Sequence, residues 1–157
     1  MFLGLGIALI VALIDQLSKY FIRSYFDNAT SPVEFCSFFN LVEAWNTGVS
    51  FSMFNNGGLI GIIILSLFAI GVIIFLLLWL RKENEKIIQI ALGMIIGGAI
   101  GNVMDRIYYG AVYDFLDFHY KDMHWPAFNV ADSFICIGAF IIILHSLLNI
   151  KSCKKEG

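Results

Sequence analysis

Four apolar stretches limit what this chain can fold into: residues 2–21, 59–80, 87–104 and 130–148. Each approaches the roughly 20 residues a helix needs to cross the hydrocarbon of a bilayer. Only 14% of the residues are charged and 59% are hydrophobic, whereas a soluble domain carries about 25% charged residues. The pattern predicts an all-α membrane protein with four transmembrane helices. Residues 1–157 are expected to form one integral-membrane domain, with little room for a separate soluble one. The first window could be read as a secretory signal peptide. It lacks a basic start and a small-residue cleavage site, and Asp15, Gln16 and Lys19 interrupt its second half, so a retained span fits better.

Orientation follows from the basic residues. Arg81, Lys82 and Lys86 flank one short connection, and Lys151, Lys154 and Lys155 lie in the C-terminal tail. Cationic loops stay on the cytoplasmic side, so both termini are expected there. The segments 23–56 and 105–128 then face outward. No basic residue precedes the first span, so the orientation rests on the two later segments. A net charge of −2 offers no nucleic-acid signature. Cys36, Cys136 and Cys153 fall in different compartments on this topology, and free thiols are expected.

The spans differ in character. The second is apolar on every side and reads as a lipid-facing scaffold, with Trp79 near the inner interface. The third carries Gly93, Gly97 and Gly101 at four-residue intervals, a smooth stripe that lets another helix approach closely. In the first outward segment, SPVEFCSFFNLVEAW has runs compatible with short strands, predicting a small β element on the outer membrane surface. The second, YYGAVYDFLDFHYKDMHWPAF, is rich in aromatics and acids, and Pro126 marks the re-entry into the last span.

Ionisable groups at membrane depth cost about 2.5–3.5 kcal/mol each on the lenient insertion scale, so they are functional candidates by default. Asp114 and Asp132 sit at the edges of apolar segments beside other polar residues. If the two are close, one keeps a proton while the other stays charged. The charged one can then deprotonate a water and the protonated one can donate to a carbonyl or leaving amine. Such a pair hydrolyses an amide with no metal and no covalent intermediate. Asp15 and Lys19 share a helix face, either as a structural ion pair or as the edge of a polar site. Asn102 and Arg106 repeat that spacing. Arg106 could snorkel to headgroups, or present donors that fix a substrate backbone carbonyl or orient a carboxylate. Asn129 lies three residues before Asp132, and Asn46 just before Gly48.

Other chemistries fit less well. His119 and His124 lack the HExxH pattern of a zinc helix, and His145 lies deep in the final span. No GxSxG turn occurs. Asp117 reads as a loop acid, close enough to Asp114 to need testing.

These motifs resemble those of lipoprotein signal peptidase, the type II signal peptidase of bacteria. DQLSK at 15–19, NTGVSF at 46–51, GGAIGNVMDR at 97–106, VYDF at 112–115 and FNVAD at 128–132 follow the family's order along nearly the whole chain. The resemblance implies an intramembrane aspartyl endopeptidase of the bacterial cytoplasmic membrane. It would remove the signal peptide from diacylglyceryl-modified prolipoproteins, cleaving N-terminal to the lipidated cysteine. By this similarity Asp114 and Asp132 are the catalytic pair. Asn46, Gly48, Asn102, Arg106 and Asn129 form a polar pocket in which Arg106 holds a substrate main-chain carbonyl, while Asp15 and Lys19 support the site. No cofactor or metal is implied. The family fold adds an extramembrane β-cradle and a short surface helix, and globomycin-type cyclic peptides are expected inhibitors. Val49 and Ser50 depart from the small alanines common in the family. The rival reading is a small proton-coupled transporter using the same carboxylates. It would favour midplane acids and internal repeats, and neither is apparent here. A purely structural membrane protein would leave the polar cluster unexplained.

Overall fold

The computed structural model describes residues 1–48 and 58–153. Four long helices carry the chain back and forth: α1 (Phe2–Phe26), α2 (Gly58–Lys82), α3 (Lys86–Tyr109) and α4 (Val130–Cys153). All four are long and apolar enough to cross a membrane. Each helix contains its predicted window and runs beyond it, because the polar end turns continue the backbone hydrogen bonding. Between the helices lie β1 (Val33–Cys36), β2 (Phe39–Asn46), β3 (Val112–Tyr120) and β4 (Met123–His124). The helical bundle with a small β element agrees with the sequence expectation. The short surface helix has no counterpart among the described residues, and Val49 and Ser50 lie outside them.

Helix α3 is the hub of the bundle, packing against α1, α2 and α4. Its glycine stripe explains the closeness of α1. A methyl group on Gly97 would meet the Ala8 carbonyl oxygen and lie 2.8 Å from Val11 Cβ, and one on Gly93 would meet the Gly4 carbonyl. On another face, Gly98 brings the Ala131 carbonyl of α4 within 2.5 Å of such a methyl. The apolar core below joins Ala8, Leu76, Leu80, Ile88, Leu92 and Ile96. Helix α2 contributes only Leu76 and Leu80 as buried residues, as expected of a lipid-facing scaffold.

The four strands form an antiparallel sheet in the order β1-β2-β3-β4 at the end of the bundle where α1 and α3 finish. The 33–46 strands lie where the sequence places a β element. The 112–124 segment, read only as a connection, holds a nine-residue strand instead. Gly110 (φ +73°) turns the chain out of α3, its N–H donating to the Arg106 carbonyl at 3.0 Å. This left-handed conformation is one glycine adopts without strain. The chain then doubles back along the end of its own helix. The Arg23 guanidinium lies 4.2 Å from the Tyr109 ring centroid and donates to its hydroxyl at 2.8 Å, fastening the end of α1 beside the sheet.

Candidate active site

Three backbone constraints bring Asp114 and Asp132 into one polar cluster. The reversal at Gly110 returns β3 towards the end of α3. The Phe128 carbonyl accepts from the Phe115 and Leu116 N–H groups, while its own N–H donates to the Leu116 carbonyl. The start of α4 is thereby pinned to β3, one residue beyond Asp114. Finally, Asn129 caps α4: its Oδ1 accepts from the Asp132 N–H at 2.9 Å, and Asp132 Oδ2 accepts from the Asn129 N–H at 3.3 Å. This reciprocal capping box satisfies two N–H groups at the helix start and fixes one oxygen of Asp132.

Side-chain amides join the two carboxylates. Asn46 Nδ2 donates to Asp114 Oδ2 at 3.0 Å, and Asn129 Nδ2 donates to Asp114 Oδ1 at 2.7 Å. Asn129 Nδ2 also donates to Asn102 Oδ1 at 3.1 Å, and Asn102 Nδ2 donates to Asp132 Oδ1 at 2.8 Å. Each amide is locked in one orientation by its neighbours. Asn46 Oδ1 accepts from the Gly48 N–H, Asn129 Oδ1 is taken by the helix cap, and Asn102 Oδ1 accepts from Lys19 Nζ at 3.2 Å. Every NH₂ group therefore points at an acceptor, and three of these four contacts are with the acids.

Lys19 is itself almost completely buried, 2.8 Å from both Asp15 Oδ2 and Asp105 Oδ2. Asp15 Oδ1 accepts from the Ala131 N–H at 2.9 Å, so the first-span acid also holds the α4 terminus. Gly101 makes room for Asp15: a methyl there would collide with Asp15 Oδ2. The Asp15–Lys19 pair is both an ion pair and a wall of the polar cluster. Arg106 faces the same cluster, with a 3.4 Å bond to the Asn102 carbonyl, and its buried Nε has no hydrogen-bond partner.

Burial pushes the Asp114 carboxyl up to about 7, and the charge of Asp132 pushes the same way. Hydrogen bonds from Asn46 and Asn129 and the charge of Lys19 oppose them. Beside the pair, Trp125, Phe128, Ile135 and Cys136 line an apolar cavity of about 500 Å³ whose wall includes Asp132.

Asp117 points elsewhere, accepting from Asn40 Nδ2 at 3.0 Å and pairing with His124 Nδ1 at 2.9 Å. His119 stacks on His124, and no metal-binding group of three such side chains occurs among the described residues. His145 interacts with Glu83 at the opposite end of the bundle. Cys36 and Cys136 are free. Asp105 and Gln16 are the cluster members that sequence reasoning did not single out. The available signal was that Asn102 and Asp105, three apart, share a helix face.

The signal peptidase II family model matches residues 7–148. Lipoprotein signal peptidase of Coxiella burnetii (strain RSA 331 / Henzerling II) is 43% identical over 146 residues, covering 92% of this chain and 89% of that protein. The enzyme of the same name from Teredinibacter turnerae is 41% identical over 151 residues, covering 95% and 89%. A solved chain described as "Bacterial membrane enzyme structure by the in meso method at 2.3 A resolution" superposes with a TM-score of 0.83 at 30% identity, covering 98% of this chain and 92% of that one. None of these supports a transporter. The chain belongs to the signal peptidase II family, a family of membrane peptidases.

Proposed function

We propose that this chain hydrolyses the signal-peptide bond of diacylglyceryl-modified prolipoproteins, N-terminal to the lipidated cysteine, using Asp114 and Asp132 as its acid–base pair. The observation that carries this reading is the amide relay, in which Asn46, Asn129 and Asn102 hold the two carboxylates from three different elements. An acid whose carboxyl stands near 7 is suited to hold the shared proton. Asp132 stands at the N-terminal end of α4, where the helix dipole favours negative charge, and serves as base. Asp132 takes a proton from water as its oxygen attacks the scissile carbonyl carbon, and Asp114 gives its proton to the carbonyl oxygen. The tetrahedral diol then collapses. Asp132 returns its proton to the departing nitrogen, the C–N bond breaks, and Asp114 recovers a proton from a diol hydroxyl. The unpartnered Nε of Arg106 is suited to a substrate main-chain carbonyl, because a buried donor without an acceptor is costly.

The apolar cavity beside Asp132 suits a substrate that arrives by lateral diffusion through lipid, and globomycin-type cyclic peptides would compete there. Arg81, Lys82 and Lys86 lie at the end of the bundle away from the sheet. By the positive-inside rule, that end is cytoplasmic in a bacterial cytoplasmic membrane, both termini lie with it, and the dyad opens towards the outer face. The 157 residues act as one peptidase domain.

Peptide release from purified diacylglyceryl-prolipoprotein tests the reading. Asp114→Asn and Asp132→Asn should each lower the rate by at least about a hundredfold without loss of folded protein, and a chelator should leave it unchanged. Near-normal cleavage by either variant would remove the dyad assignment. Reaction of a cysteine placed at Lys82 with an impermeant reagent from outside the cell would overturn the orientation.

A further inference from the structure

Three donors converge on Asp105, a residue only 2% exposed. Its Oδ2 accepts from Lys19 Nζ at 2.8 Å and from the Tyr113 backbone N–H at 3.2 Å, and its Oδ1 accepts from Gln16 Nε2 at 2.9 Å. These contacts lead in two directions. Tyr113 is the residue before Asp114, so the bond to its N–H fixes where β3 begins. Lys19 donates to Asn102 Oδ1, and that bond turns the Asn102 NH₂ towards Asp132. We propose that Asp105 is a positioning residue of the dyad: a single carboxylate sets Asp114 through the strand and Asp132 through Lys19 and Asn102. This rests on the proposed peptidase reading for what the two acids do.

The charges gathered here are Asp15 and Lys19 from α1, Asp105 and Arg106 from α3, Asp114 from β3 and Asp132 from α4. Asp105 and Asp15 flank Lys19 and blunt its field at the dyad. A carboxylate suits the site because both its oxygens accept. An asparagine at this place has one acceptor oxygen for three donors, so its NH₂ must face an N–H whichever way it turns. The substitution removes a charge, leaves one donor without a partner and loosens both routes to the dyad.

Asp105→Asn should therefore lower kcat for prolipoprotein cleavage by about tenfold to a hundredfold, the scale expected when reacting groups are displaced by about 1 Å. KM should stay unchanged, since no substrate contact is lost. The alkaline limb of the pH profile should move to lower pH, because the less compensated Lys19 favours the Asp114 carboxylate. Infrared titration of the protonated-carboxyl band that disappears in Asp114→Asn reads the same shift without substrate. Gln16→Leu removes the donor to Asp105 Oδ1, together with longer bonds to the Gly101 carbonyl at 3.2 Å and Asp15 Oδ2 at 3.3 Å. It should lower kcat by a few-fold with KM intact, and it serves if Asp105→Asn does not fold. Wild-type kcat and an unmoved Asp114 titration in either variant would overturn the proposal, as would a loss confined to KM. A wild-type protein that releases no peptide would instead defeat the functional reading, leaving the infrared titration to judge Asp105.

Discussion

Helices α2 and α3 have nearly the same length, 25 and 24 residues, and both cross the bundle. Within their most apolar 18-residue windows, 6% of α2 is buried inside the protein against 61% of α3. The more uniformly hydrophobic helix is thus the one left facing lipid. A membrane helix gains little by moving a leucine from lipid to protein, because both surroundings are apolar. Close backbone approach and satisfied polar groups decide instead, and α3 has both. Glycines admit α1 and α4 along two of its faces, and its end carries Asn102, Asp105 and Arg106 into the polar cluster around Asp114 and Asp132. Of the two, the helix with more small and polar residues has become the hub on which the site is hung.

The strongest test of that contrast fills the stripe. Gly97→Ala places a methyl against the Ala8 carbonyl and Val11 Cβ, both on a helix that cannot yield locally. Overpacking of this kind costs about 1–3 kcal/mol, and Gly97→Leu should cost more. The variants should melt earlier in detergent micelles. They should also lose activity, since moving α1 displaces Asp15 and Lys19 from Asn102 and the α4 terminus. A Gly97→Leu protein with unchanged melting and cleavage would show that close approach is not what makes α3 the hub.

Much of this was legible in the chain. The apolar windows predict the spans because a run of about 20 apolar residues has few alternatives, and the glycine spacing predicts the packed face. Strand β3 was not legible. Its first four residues, Val112, Tyr113, Asp114 and Phe115, are all buried, so the alternation that marks a half-exposed strand is missing where it would have shown. Asp105 was hidden for a different reason. Its ion pair is with Lys19, 86 positions earlier in the chain, and nothing in the local sequence marks that partner. Only the fold brings that cation across. The relay of asparagines was legible as a set of residue types at span ends, and its wiring was not, because amide orientation depends on contacts made by four separate elements.

A pH titration of stability probes the buried polar cluster that β3 forms with the end of α3. Asp114 stands at about 7 in the folded protein against an ordinary value of 3.8. Its folded state therefore binds the proton more tightly than the unfolded chain does. The resulting contribution is complete below the unfolded value and is lost as pH rises through about 7. Melting temperature should fall over that interval. Asp114→Asn, which cannot ionise, should flatten the fall and be the more stable protein at mildly alkaline pH. An identical pH dependence in the variant would mean that Asp114 is not the group responsible.

The smallest expected effect comes from the other helix. Gly71 lies on the exposed face of α2, and a methyl added there would meet nothing within 4 Å. Chemically, Gly71→Ala is the same change as Gly97→Ala, one methyl in the middle of an apolar helix. Its sign should be opposite. With no neighbour to displace, the remaining term is the conformational freedom glycine loses on becoming helical, worth roughly 0.5–1 kcal/mol in favour of alanine. Gly71→Ala should melt slightly later than the parent and cleave at the parental rate. If it instead behaved like Gly97→Ala, α2 would have to be packing against something in the membrane, and its exposure would mark an interface with another protein surface. The pair of identical substitutions therefore separates the two helices by sign rather than by size, which a melting curve in micelles can read.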